Sequence, residues 1–333
     1  KIYNIIHIFQ LSCIQPQAAD QLDRARACKK LMLGCIFLFA VVGMASCFSA
    51  GQSLNLTFQK FLSSRGSSKW PTVLFIHGLD SSKHTWRDVN RRMQSDGFDS
   101  ISIDLRGWGS SPLGEREDYN IENMISDIKT FVDTHCKKQN TPLIVVGHSM
   151  GGRVASCYAA KHPDDVAALV IEDMDIAVRV MANNPVSMVE SKLLNWNRSF
   201  QTKGIAIEAL TDAGYGMDRL DKWLIEGRLR EMEDGTWWSD VNPEARMLSY
   251  RNILGTDCGE QALRTIASCT TFPCHLMVAE KGSACENDSI QEMKVIMGER
   301  LCVTHFAGAN HSIHNSAQDK FLEDLKDLIQ RTP

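Results

Sequence analysis

Two rhythms of apolar and polar residues run along this chain. Short apolar runs recur at Thr72-Val73-Leu74-Phe75-Ile76, Ser100 to Leu105, Pro142-Leu143-Ile144-Val145-Val146, Val166 to Ile171, Cys274-His275-Leu276-Met277-Val278 and Leu301 to Phe306. Runs of that length without polar interruption read as strands buried on both faces. Between them, apolar residues fall three and four apart. Trp86, Val89 and Met93 form one such set. Ile121, Met124, Ile125, Ile128, Phe131 and Val132 form a second, and Phe321, Leu322, Leu325, Leu328 and Ile329 a third. Each predicts a helix with one buried face, and Arg153 to His162 and Ser289 to Met297 read as further helices. Leu54 to Phe58 alternates apolar with polar, as a half-exposed edge strand does, and Ser63 to Ser68 is a polar turn.

Strands that alternate with helices predict a mostly parallel sheet covered by helices on both faces. The alternation stops after Glu172-Asp173-Met174-Asp175 and resumes near residue 269. The stretch between, residues 176–268, carries helical patterns such as Met217 to Glu233 and shows no strand of the sheet. It predicts an inserted helical cap. The expected organisation is therefore a leader over 1–51, a core over 52–175, the cap over 176–268 and the rest of the core over 269–333.

Composition changes this picture little. Of 333 residues, 44% are hydrophobic and 23% charged, as in an ordinary globular protein, and a net charge of −4 gives no reason to expect nucleic acid. No CxxC pair, HExxH or glycine-rich phosphate loop occurs, so no cofactor or metal is expected. Eleven cysteines are scattered through the chain, several in apolar contexts such as Cys157 and Cys302, and read mainly as buried free thiols. The start is different. Lys29-Lys30 precede an uncharged apolar run from Leu31 to Gly51, which resembles a signal peptide and is long enough for a membrane anchor. Glycosylation triplets at Asn55, Asn197, Asn287 and Asn310 fit a secretory or membrane-anchored location; a mitochondrial one is the alternative.

The chemistry concentrates in Gly147-His148-Ser149-Met150-Gly151-Gly152, between a predicted strand and a predicted helix. A strand that turns sharply into a helix presents the serine at its apex, and glycines on both sides allow the close packing this needs. A serine hydroxyl requires a base to take its proton, and His311, just after the last strand, is the candidate, with His314 as competitor. The acid that orients the imidazole is expected after a strand. Asp173 follows its strand most directly; Asp175, Glu280 and Glu286 are the alternatives, and pairing of these acids with Arg179 is the non-catalytic reading. The backbone N–H groups of Leu79, in His77-Gly78-Leu79, and of Met150 are the expected oxyanion donors.

These segments, with Asp104-Leu105-Arg106-Gly107-Trp108-Gly109 and Gly308-Ala309-Asn310-His311, together resemble the α/β-hydrolase superfamily over residues 52–333. Within it the chain is similar to the esterase-like group that includes abhydrolase domain-containing protein 11. In that group the acid follows the strand after the nucleophile, at the spacing that separates Ser149 from Asp173. The resemblance implies an α/β-hydrolase fold with an inserted cap and a serine hydrolase acting on a carboxylic ester or thioester of a small molecule. Lipase, amidase and carbon–carbon hydrolase chemistry use the same residues, and a ligand-binding protein on the same scaffold is the rival of another class. Trp223, Trp237 and Trp238 in the cap suggest an acyl or aromatic substrate.

Overall fold

The computed structural model describes residues 53–63, 70–136, 141–179, 196–332. The expected leader, with its apolar run at 31–51, and the polar turn at 64–68 lie outside the described residues. Among those described, no helix is long and apolar enough to cross a membrane.

Seven strands build the sheet: β1 (Phe58–Phe61), β2 (Val73–Ile76), β3 (Ser100–Ile103), β4 (Leu143–His148), β5 (Val166–Glu172), β9 (Cys274–Lys281) and β10 (Leu301–Asn310). Their order is β1-β3-β2-β4-β5-β9-β10, with β1 antiparallel to β3 and every other pair parallel. Successive side chains point to opposite faces, so each apolar run feeds two cores. Val73, Phe75, Ile144, Val146, Ala168 and Val170 face α1 (Arg87–Asp96) and α10 (Gln318–Arg331). Leu74, Ile76, Val145, Leu169 and Ile171 face α2 (Ile121–His135), α3 (Met150–Lys161) and α7 (Cys258–Cys269). Burial on both faces explains why β2, β4, β5 and the first six residues of β9 lack a polar alternation; β10, at the sheet edge, is buried at Leu301 and Phe306 but exposed or half-buried between them.

The first strand begins later than its pattern predicts. Leu54 to Thr57 run beside the sheet, held by the N–H of Leu54 donating to Asp127 Oδ1 (2.7 Å) and that of Thr57 to Ser111 Oγ (2.9 Å). Ladder pairing starts only at Phe58. The local alternation was real, but side-chain acceptors took up the donors that a strand would have used.

The inserted segment is mixed rather than purely helical. It contains α4 (Lys203–Asp212), α5 (Met217–Ile225) and α6 (Pro243–Ser249), together with a small antiparallel sheet. That sheet joins β6 (Ser199–Phe200), β7 (Leu229–Glu231) and β8 (Trp237–Ser239) in the order β6-β8-β7. The helix expected from Met217 to Glu233 ends at Ile225, where Gly227 (φ 69°) turns the chain into β7. Strands of two or three residues are too short to show a period, which is why the pattern concealed them. α7 packs on α3 and on α8 (Asn287–Met297), so the chain returns to the core layer before residue 268. The seven described cysteines are free; Cys157 is buried as expected, whereas Cys302 is exposed.

Candidate active site

The strand order reverses between β3-β2 and β4-β5, so the loops after β2 and β4 emerge side by side at the carboxyl edge. Open α/β sheets form their crevice at such a point. Three non-glycine residues among those described have positive φ, and all lie at this edge. They are Asp80 (φ 51°) beyond β2, Ser149 (φ 53°) after β4 and Asp173 (φ 50°) after β5. A side chain in this region is strained, and the strain persists only where the surroundings impose it.

At Ser149 the imposition is visible. Its N–H donates to the Glu172 carbonyl and its own carbonyl accepts from Gly152 N, each at 2.8 Å. A Cβ on Gly78 would lie 2.9 Å from both His148 Nδ1 and Ser149 Cβ, so the β2 loop can approach the elbow only as glycine. Met150 opens α3, and its N–H at the first helical position has no acceptor within the helix. Leu79 lies on the wall of the same cavity as Ser149.

His311 follows the end of β10 and reaches back over the sheet. Its Nδ1–H donates to Asp173 Oδ2 at 2.7 Å, and its carbonyl accepts from His148 Nε2–H at 3.0 Å. The two imidazole rings are 4.8 Å apart, which sets His311 against the residue next to Ser149. Ser149 and His311 line one cavity of about 540 Å³. Ser149 Oγ makes no hydrogen bond among the described residues, so the hydroxyl is left to turn toward the ring.

Asp173 is buried and receives three further hydrogen bonds. Ala279 N–H (2.9 Å) and Ser283 Oγ–H (2.6 Å) donate to Oδ1, and Ala284 N–H (3.0 Å) donates to Oδ2. Burial pushes its pKa up, but the donors from His311, Ser283 and the two amides outweigh it and hold the carboxyl below the usual range. The other acids considered are engaged elsewhere. Asp175 Oδ1 pairs with Arg179 (2.7 Å) and Oδ2 accepts from Glu286 N (2.8 Å). Glu280 accepts from Gly308 N, and Glu286 occupies the N-cap position of α8, away from the His311 ring nitrogen that Asp173 holds.

His314 is not beside the serine. It is fully buried, with Nδ1–H donating to Glu172 (2.8 and 2.9 Å to the two oxygens), its backbone N–H donating to the same carboxylate, and Nε2 bonded to Thr85 Oγ1 (2.8 Å). Its ring stacks 4.2 Å from Trp86. A second histidine–carboxylate pair thus sits directly behind the first, one residue earlier on β5. Nitrogens of His148 and His314 and an oxygen of Glu172 all lie within 4.8 Å of one another. The carboxylate is already committed to His314, so the cluster reads as a hydrogen-bonded support rather than a cation cage.

His77 is a further support. Its Nδ1–H donates to the Gly78 carbonyl (2.7 Å) and its Nε2 accepts from Leu105 N (3.1 Å), which ties the β2 loop to the end of β3. Burial lowers the pKa of His77, and of His148, to about 4. Both are neutral when folded and titrate near the ordinary 6.5 when unfolded, so acid protonates the unfolded chain first. The stability they lend is complete above pH 6.5 and is lost as pH falls toward 4. We expect a loss of about 3 kcal/mol for each across that interval, measurable as a falling urea midpoint from pH 7 to 4.

Asp80 joins the loop to the cap. Its carboxylate accepts from Tyr215 OH (3.0 Å) and pairs with Arg246, while Arg228 donates to its carbonyl. Asp80→Ala is expected to cost about 1.5–3 kcal/mol, the usual range for a hydrogen-bonded charge, as a lower urea midpoint than wild type at equal m-value. His77 and Asp80 flank the Gly78-Leu79 pair, yet nothing in their spacing announced these roles.

The cap tryptophans do not face the cavity. Trp223 is buried against Tyr215 and Arg228, and Trp237 and Trp238 stack with Lys203 and Arg198. None of them lines the cavity, so they give no support to an aromatic subsite.

Residues 71–204 match a family described as alpha/beta hydrolase fold. The chain has the α/β-hydrolase fold. Its match to a marine microorganism esterase structure has a TM-score of 0.63 at 22% identity, covering 83% of this chain and 100% of that one. To the sn-1-specific diacylglycerol lipase ABHD11 of Mus musculus it is 33% identical over 110 residues, which are 33% of this chain and 34% of the relative. To a probable alcohol acetyltransferase of Saccharomyces cerevisiae it is 35% identical over 111 residues, 33% of this chain and 32% of that protein. Each of these two sequence alignments spans about a third of the relative. The family match spans the elbow and β5 and ends at residue 204, within the inserted segment.

Proposed function

We propose that the chain is a serine hydrolase that cleaves a carboxylic ester or thioester through an acyl-enzyme. The hydrogen bond from His311 Nδ1–H to Asp173 Oδ2 carries this reading, because it commits one ring nitrogen and leaves Nε2 as the base facing the cavity that Ser149 lines. Ser149 Oγ attacks the carbonyl carbon as His311 Nε2 takes its proton. Asp173, kept ionised by its four donors, stabilises the imidazolium. The Leu79 and Met150 N–H groups receive the negative charge that develops on the carbonyl oxygen. As the tetrahedral adduct collapses, His311 returns the proton to the departing alcohol or thiol. Water, deprotonated by the same imidazole, then releases the acid and restores Ser149. Similarity to a lipase, an acetyltransferase and an esterase supports acyl transfer.

A fluorophosphonate probe tests this. Wild-type protein should label at Ser149, and Ser149→Ala should lose both the label and p-nitrophenyl butyrate turnover, a fall of about 10⁶-fold in kcat for loss of the nucleophile. Folded wild-type protein that neither labels nor turns over ester would return the chain to ligand binding on a hydrolase scaffold.

A further inference from the structure

The cavity at Ser149 carries charge opposite to the protein as a whole. We infer that the substrate bears an anionic group, a carboxylate or a phosphate, held between Arg87 of the core and Arg219 and Lys222 of the cap. This inference rests on the serine-hydrolase reading and deepens it. Arg87, Arg179, Arg219, Lys222, Arg228 and Arg246 line the cavity, against three acids, Asp80, Asp88 and Glu226. With Arg179 assigned to Asp175, which is not part of the lining, five cations still face three acids. The whole chain, in contrast, has a net charge of −4.

Structural pairing accounts for only part of this set. Arg246 and Arg228 hold Asp80 and its carbonyl, as described above. Arg228 nevertheless keeps a buried Nε–H without a partner. Asp88 is 74% exposed and among the described residues pairs only with Arg91, at 3.9 Å. Three cations remain weakly engaged. Arg87 bonds to His84 Nδ1 (3.1 Å) and pairs with no carboxylate among the described residues. Arg219 is 53% exposed and 3.7 Å from an Asp80 oxygen that Arg246 already holds. Lys222 is 70% exposed and 3.6 Å from Glu226.

These three come from two elements, the start of α1 in the core and one face of α5 in the cap, where positions 219 and 222 are three apart. Among the described residues, none of the three has a carboxylate within hydrogen-bond distance: the nearest lie 3.7 Å from Arg219 and 3.6 Å from Lys222, which leaves their donors free to take a ligand. A cleft of one sign concentrates ligands of the other and favours them by tenfold or more at low salt. Leu79, Met174 and Leu254 give the same cavity an apolar part of its wall.

Two matched pairs of substrates test the inference on the full chain, with Ser149→Ala as the background. p-Nitrophenyl hemiadipate against p-nitrophenyl heptanoate places a carboxylate on the acyl side. Butyryl-coenzyme A against the butyryl thioester of N-acetylcysteamine places phosphates on the leaving side. At least one anionic member should exceed its neutral partner about tenfold or more in kcat/KM at low ionic strength. Its advantage should shrink in 0.5 M NaCl, and the anionic-to-neutral ratio should fall several-fold in the Arg219→Gln, Lys222→Gln double variant. Which pair responds identifies the anion. Neutral esters hydrolysed as well as both anionic partners would overturn the inference while leaving the hydrolase reading in place. No turnover of any of the four, with no fluorophosphonate label, would overturn both.

Discussion

Asp173→Asn should lower kcat by about 10⁴-fold while leaving the protein folded. The substitution keeps the volume and the acceptor oxygen, but an amide cannot hold His311 in the tautomer that donates from Nδ1 and presents a basic Nε2. The four donors now on the carboxylate, from His311, Ser283, Ala279 and Ala284, have no counterpart for an NH2 group. Asp175→Asn should behave differently. Asp175 pairs with Arg179 and caps the backbone of Glu286, so its loss acts on the junction with the inserted segment, at a cost of a few kcal/mol at most in stability. Steady-state kinetics on both variants, with circular dichroism as the control, separates the two. Activity lost only in Asp175→Asn would move the acid to that position.

His314→Ala should be the most destabilising of the histidine substitutions, by about 3–5 kcal/mol, the range for leaving a buried partner charge uncompensated. Glu172 is completely enclosed. Burial raises its pKa, and His314, His148 and the hydrogen bonds from His314 more than reverse that, holding the carboxyl below the usual range. Removing the ring takes away the principal donor and leaves a cavity beside Trp86 and Phe321. His311→Ala, at a ring 37% exposed, should abolish turnover with a much smaller change in the urea midpoint. A His314→Ala protein as stable as wild type would show that Glu172 is neutral in the fold.

Much of this molecule was legible before any packing was considered. The six apolar strand runs, the amphipathic faces of α1, α2 and α10, and the glycine-flanked Ser149 are local features, each set by residues within a few turns or a single strand. Periodicity and turn chemistry report such features directly, because the side chains concerned meet one buried surface.

Partner choice was not local. Asp173 and Asp175 stand two residues apart, and only the twist of the backbone at a strained φ of 50° aims the first at His311 and lets the second turn to Arg179. His311 and His314 are three positions apart, yet one ring lines the cavity and the other is enclosed against β5. The strands of the cap, the tether at Asp80 and the cationic lining also depend on groups brought together from distant segments. The sequence by itself therefore determined the parallel sheet, the elbow and the kinds of residue available to the site. Tertiary structure alone decided which of those residues meet, since a hydrogen bond or an ion pair is selected by where two separate backbones hold their side chains and not by the order in which they are written.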